Sequence, residues 1–177
     1  MQAGELSKKV SLLAYADGAW AVSKSIWIAA EYASKVIYSA LAAGSQGYKV
    51  TVRRSAGITQ HMALMIDGNH CMITAMRAGL IHVEMDAAII SPQLCTLRRK
   101  STDVRTFYGS LAERYVSWAQ QNPNAEVETG MLLVAPKAEE LRSGDIVVVG
   151  GSRYSVRECH VADQYHNDYE IAKVGDV

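Results

Sequence analysis

Excess charge of either sign is what this chain most clearly lacks: 18 lysines and arginines are balanced by 18 aspartates and glutamates. Without a net field, neither nucleic acid nor an anionic membrane is indicated as a partner. The local run Arg98-Arg99-Lys100 reads as a solvated strand end. Cysteine is scarce, with three residues in 177. Cys71, Cys95 and Cys159 form an odd count without framework spacing, which argues against a disulfide scaffold and fits a reducing compartment. Residues 1–10 carry lysines but no apolar core, so no secretory signal is expected. A long uninterrupted apolar run is also missing. The most hydrophobic stretch, residues 19–43, is broken by Lys24, Glu31 and Lys35, and a bilayer span needs about 20 apolar residues. No internal repeat and no low-complexity segment is visible.

What is present is enough apolar material, 49% of residues, for one core or one core with a small appendage. Residues 10–16 read as a buried strand ending at the turn Asp17-Gly18. From Ala19 onward, Val22, Ile26, Ala29, Ala30, Ala33, Val36, Ile37, Ala40 and Leu41 recur at spacings of three and four, which predicts a long helix over 19–43. Residues 48–54 alternate and predict a half-buried strand. Further strands are expected at 61–66, 70–76, 80–85 and 94–98. Val104, Phe107, Leu111, Tyr115 and Trp118 form the stripe of a second helix over 102–121, which stops at Asn122-Pro123. Beyond a polar linker at 122–128, strands at 131–135, 146–149, 153–159 and 169–174 predict a small antiparallel unit, with Gly150-Gly151 as a hairpin turn. The expectation is an α+β protein. A mostly antiparallel sheet is flanked by two long helices in a domain over residues 1–122, and a small C-terminal antiparallel β-unit follows over 130–177.

The stretch with the strongest chemical suggestion is Gln60-His61-Met62-Ala63-Leu64-Met65-Ile66, then Asp67-Gly68-Asn69, then His70-Cys71-Met72-Ile73-Thr74-Ala75 and Gly79-Leu80-Ile81-His82-Val83. Over residues 10–115 this order resembles the circularly permuted branch of the NlpC-type papain-like hydrolases. In that family a thiolate attacks an amide or ester carbonyl, an imidazole keeps the thiol ionised, and a polar residue orients the ring. The resemblance implies His61 as the imidazole and Thr74 in the orienting place. The nucleophile falls near residues 107–111, where no cysteine stands and Ser110 is the nearest hydroxyl. The plain alternative for His61 is a partly buried histidine bonded to backbone, and for Cys71 and Cys95 a small buried hydrophobe.

Other candidates are weaker. His82, Glu84 and Asp86 alternate on one strand, as solvent-facing residues commonly do. Cys159-His160 with His166 matches no usual zinc spacing. No metal or cofactor is therefore expected. Residues 141–149 with 154–157 resemble the small β-barrel modules of phage neck and tail joining proteins. Arg153, Tyr154, Arg157, Tyr165 and Tyr169 in this unit are of the types enriched at protein interfaces.

Together these readings favour a non-catalytic structural or adaptor protein on a degenerate papain-like scaffold, set in a bacteriophage neck or tail. Its partners would be proteins, as a homo-oligomer or larger assembly, in a cytoplasmic or virion-associated location. The alternative is a cysteine or serine hydrolase of an amide or ester with His61 as general base. A small-molecule binding module would need a deep apolar pocket near His61.

Overall fold

The computed structural model describes residues 6–39, 41–42, 44–100, 102–114 and 130–176. Its strands are β1 (Lys8–Ala16), β2 (Ala19–Val36), β3 (Ser45–Arg53), β4 (Ala63–Ile66), β5 (Asn69–Ala78), β6 (His82–Ile90), β7 (Gln93–Arg99), β8 (Thr102–Glu113), β9 (Met131–Pro136), β10 (Ile146–Val149), β11 (Ser152–His160) and β12 (His166–Asp176). They close into two six-stranded antiparallel barrels. The first runs β1-β2-β3-β6-β5-β4 and the second β7-β8-β9-β12-β11-β10. Closure leaves neither sheet with an open edge.

This overturns the α+β expectation and the papain-like resemblance with it. The described residues contain no α-helix, only one 3-10 turn at Arg54–Ala56. Where the two predicted helices fall on described residues, they are mainly strand, β2 and β8. In β2, Ile26 and Ile28 are buried with Ala30 packed behind them, while Trp27 and Glu31 point outward, a period of two rather than 3.6. A bulge hid that period. Leu12 pairs with Lys24 and Leu13 with Val22, so Ser23 is an extra residue and the alternation shifts there. Val104 is the matching extra residue in β8, between Asp103 paired with Arg98 and Arg105 paired with Leu97. Tyr115 and Trp118 of the second stripe lie outside the described residues, as does the whole of the expected linker at 122–128. That linker falls between β8 and β9 in the chain.

The two barrels have the same topology, and their registers can be superimposed strand by strand. Leu12 pairs with Leu64 in the first barrel and Leu97 with Val147 in the second. Ala30 pairs with Val50, and Leu111 with Leu133. Val50 pairs with Met85, and Leu133 reaches Tyr169. A second bulge recurs too, between Ile73 and Ala75 in β5 and between Val156 and Glu158 in β11. The β4–β5 turn Asp67-Gly68 and the β10–β11 turn Gly150-Gly151 both take positive φ at both residues, as a two-residue hairpin of this twist requires. The chain is thus a structural tandem repeat with no visible sequence repeat. The one large departure is the β1–β2 hairpin, whose arms extend beyond those of β7–β8 and end at Asp17-Gly18.

Each barrel has its own core. Leu12, Ile28, Val50, Leu64 and Ile73 fill the first, and Leu97, Phe107, Leu133, Val147 and Tyr169 the second. A third cluster joins them: Val36, Tyr38, Ala42, Met72 and Ala88 of the first barrel pack against Leu132 and Val134 of the second. No described helix is long and apolar enough to cross a membrane.

Candidate functional site

The junction between the barrels gathers most of the buried polar side chains. The long β1–β2 hairpin reaches across it, and the Gly18 carbonyl accepts a hydrogen bond from the Tyr108 N–H at 3.1 Å. A Cβ on Gly18 would collide with the Thr106 carbonyl oxygen, so the tip is seated flush on β8. Behind the tip, Tyr15 Oη donates to Glu139 Oε1 at 2.8 Å. Glu139 is buried, and Arg105 Nη2 forms an ion pair with its other oxygen at 2.9 Å. Burial and the neighbouring Glu139 carboxylate raise the Tyr15 pKa above its ordinary value, so the phenol stays a donor.

Beside this contact lies a cavity of about 320 Å³, lined by Tyr15, Trp20, Met62 and Met72 from the first barrel and Pro136, Lys137 and Tyr165 from the second, with Gln60 and His61 at its rim. The volume is at the small end of ligand pockets. Trp20 packs edge-on between Tyr15, at a centroid distance of 4.8 Å, and His70, at 5.2 Å. Tyr165 closes one side; its hydroxyl accepts the Met76 N–H at 2.8 Å. The Lys137 ammonium is turned away to the carbonyls of Val161 and Asp163 and to Asn167 Oδ1.

Deeper in the junction sits a buried polar set. Ser39 Oγ donates to Asp168 Oδ2 and accepts the Leu41 N–H at 3.0 Å. Asp168 Oδ1 lies 3.3 Å from His166 Nε2. The Tyr38 ring stacks on the His166 ring at 6.5 Å and 23°. The residue types are those of a hydrolase triad, but their order is not. The hydroxyl is bonded to the carboxylate rather than to the imidazole, so the imidazole is not placed to take its proton. Ser39, His166 and Asp168 are also only 2–3% or 4% exposed, leaving no path for a carbonyl substrate.

The sequence-derived residues are dispersed. His61 is exposed, and its Nε2 lies 3.4 Å from the side-chain nitrogen of its neighbour Gln60. Thr74 is the bulge residue of β5, and its hydroxyl donates to the Asp86 carbonyl at 3.4 Å. Ser110 is buried in β8 and donates to the Ser91 carbonyl at 3.3 Å. Cys71 and Cys95 are fully buried, and burial pushes both thiols up to about 12, the reverse of activation. Cys159 is exposed, with its thiol also raised by partial burial.

Among the proposed interface residues, Arg153 donates to the Asp176 carbonyl and Arg157 is exposed at the β11 bulge. Tyr154 packs against the second core. Tyr165 belongs to the junction. Tyr169 is wholly buried, donating to the Glu139 carbonyl at 2.6 Å and accepting the Leu141 N–H. Glu158, His160 and Glu170 approach one another closely enough to share an ion, but Arg114 already pairs with Glu170 at 2.8 Å.

Sequence reasoning missed Tyr15, Trp20, Ser39, Arg105, Glu139 and Asp168. The available signal was the rarity of buried acids: Glu139 and Asp168 each stand close in sequence to core tyrosines or prolines, but only the barrel closure brings their partners near. Comparisons with family models, curated proteins and solved structures return no match to this chain.

Proposed function

We propose that this chain is a non-catalytic structural or adaptor protein, a rigid double barrel that joins protein partners. The observation that carries this reading is the use made of the polar and aromatic residues at the junction. The Tyr15–Glu139, Ser39–Asp168 and Met76–Tyr165 hydrogen bonds lock one barrel to the other, while Arg105 pairs with Glu139 within the second barrel, so these polar groups do not converge on a space a substrate would occupy. His61, the imidazole at the cavity, has no thiol or hydroxyl as a hydrogen-bond partner among the described residues, and the two buried thiols are held protonated. Paired barrels without open edges suit a load-bearing or spacing role, because nothing in the sheet is free to slip or to pair adventitiously. The setting we propose is the neck or tail of a bacteriophage particle. It rests only on the sequence resemblance of residues 141–149 with 154–157 to phage neck and tail joining modules, residues that lie on the approach to β10, on β10 and on β11.

The test is chemical. The native protein is treated with an electrophilic thiol probe and a serine-hydrolase probe, alongside His61→Ala. Labelling no faster than a free thiol, and unchanged in the variant, is the expected result. Fast labelling that depends on His61 overturns the reading. The setting is tested separately by mass spectrometry of purified particles from a host carrying the sequence; particles that lack the chain defeat it.

A further inference from the structure

The repeat makes one face of the first barrel conspicuous. By register, Lys9 pairs with Trp27 as Leu94 pairs with Tyr108, and Arg53 pairs with His82 as Pro136 pairs with His166. Trp27 therefore corresponds to Tyr108, Arg53 to Pro136, Ile81 to Tyr165, His82 to His166 and Glu84 to Asp168. In the second barrel this face is covered by the first. Tyr108 is tied to Gly18, Tyr165 to Met76, and the His166–Asp168 pair is buried under Tyr38 and Ser39. In the first barrel the same face is open: Trp27 is 55% exposed, Ile81 70% and Leu80, at the tip of the β5–β6 turn, 94%. A histidine followed two residues later by an acid recurs on it, as does a large apolar residue at the Trp27 and Ile81 positions.

The two barrels meet through different faces, so their contact is heterologous, and a heterologous contact leaves one unmatched face at each end. The opposite unmatched face lies on the second barrel. Ala172 stands there by register where Ala88 stands in the first, and Val174, two residues on, is 51% exposed.

From this we infer that the Trp27–Leu80–Ile81 face of one chain receives the second barrel of another copy, head to tail, through the sheet face used within each chain but without the part made by the longer β1–β2 hairpin. The inference deepens the structural reading above and rests on it. The chain's zero formal charge lets copies approach without long-range repulsion. The exposed apolar residues would be an association liability unless covered.

Sedimentation velocity and mass photometry on the full chain test this, from nanomolar to about 100 μM, a range reaching interfaces of modest affinity. Wild type is expected to form species of two or more copies. Leu80→Asp/Ile81→Asp, and separately Val174→Asp, each abolish them while circular dichroism and melting stay those of the wild type. An equimolar mixture of the two variants restores a dimer and nothing larger, because each retains the face the other lacks. Trp27→Ser replaces the double substitution if the latter fails to fold.

A wild type that stays monomeric throughout overturns the inference, as does association indifferent to Leu80, Ile81 and Trp27, or a mixture that remains monomeric. Association through another face sinks the head-to-tail contact while leaving the structural reading standing. His61-dependent probe labelling would sink the structural reading without touching the sedimentation result.

Discussion

Tyr15 and Glu139, 124 positions apart in the chain, meet at 2.8 Å where the β1–β2 hairpin lies across the second barrel. The phenol donates and the buried carboxylate accepts, with Arg105 on the other carboxylate oxygen. A buried charge is tolerated only while it is paired. Tyr15→Phe removes one neutral donor to a charged acceptor and should cost about 1–2 kcal/mol. Arg105→Ala strands the carboxylate and should cost about 3 kcal/mol. The double variant should cost measurably more or less than the sum, because both act on one group. Urea unfolding of the three variants reads all of this; strict additivity would show that the two contacts are not coupled through Glu139.

Gly18 and Gly68 separate two effects usually mixed in a glycine substitution. Both sit at turn positions with nearly the same backbone, φ +80 and +79. Nothing lies within 4 Å of a Cβ on Gly68, whereas on Gly18 it meets the Thr106 carbonyl. Gly68→Ala should therefore carry only the left-handed strain, about 1 kcal/mol. Gly18→Ala should carry that strain plus displacement of the hairpin from β8, about 3 kcal/mol together. Equal losses in the two variants would mean that the hairpin tip does not bear on the second barrel.

The three thiols should respond very differently. Cys71 and Cys95 are fully buried with thiols held near 12, while Cys159 is exposed. A disulfide reagent at neutral pH should modify one thiol promptly and the other two only on unfolding. Cys159→Ser should abolish the prompt phase. A second prompt thiol would show that a barrel opens on the timescale of the assay.

Much of the local structure was legible in the residues, and the architecture was not. Asp67-Gly68 and Gly150-Gly151 announce their hairpins because few residue pairs accept positive φ twice. The alternation of Tyr48, Val50 and Val52 marks β3. Residues 19–43 misled for a definable reason. Ser23 is a bulge, and the exposed Val22 and Ile37 complete a helical spacing they do not serve. The recurrence of Val, Ile, Tyr and Trp there was the better guide. The second helix failed in the same way at Val104. The repeat stayed hidden because a barrel interior asks only for apolar residues of summed volume. Ile26 and Phe107, or Met85 and Tyr169, fill corresponding places without resembling each other. The buried set at Ser39, His166 and Asp168 depends on contacts between barrels, which no local pattern encodes.

His70 supplies a pH signature for the junction. Its ring packs against Trp20, its Nε2 is buried without a hydrogen-bond partner, and burial lowers its pKa from 6.5 to about 4. The unfolded chain therefore binds this proton more readily than the folded one. Stability is unaffected above neutrality, falls as pH drops from about 6.5 toward 4, and shows no further change from this residue below that. Allowing for partial solvent screening, the loss across the window should be about 2 kcal/mol. The buried Asp145 carboxylate does not blur it. Burial raises Asp145, but hydrogen bonds from Arg99 and the Arg142 N–H outweigh that and leave it below 3.8, so its contribution fades only in stronger acid. His70→Phe keeps the edge contact with Trp20 and removes the titrating group. Urea midpoints measured from about pH 7 to 4 should slope less in the variant than in the wild type. Parallel slopes would place the acid sensitivity elsewhere and show that the His70 ring is reached by water.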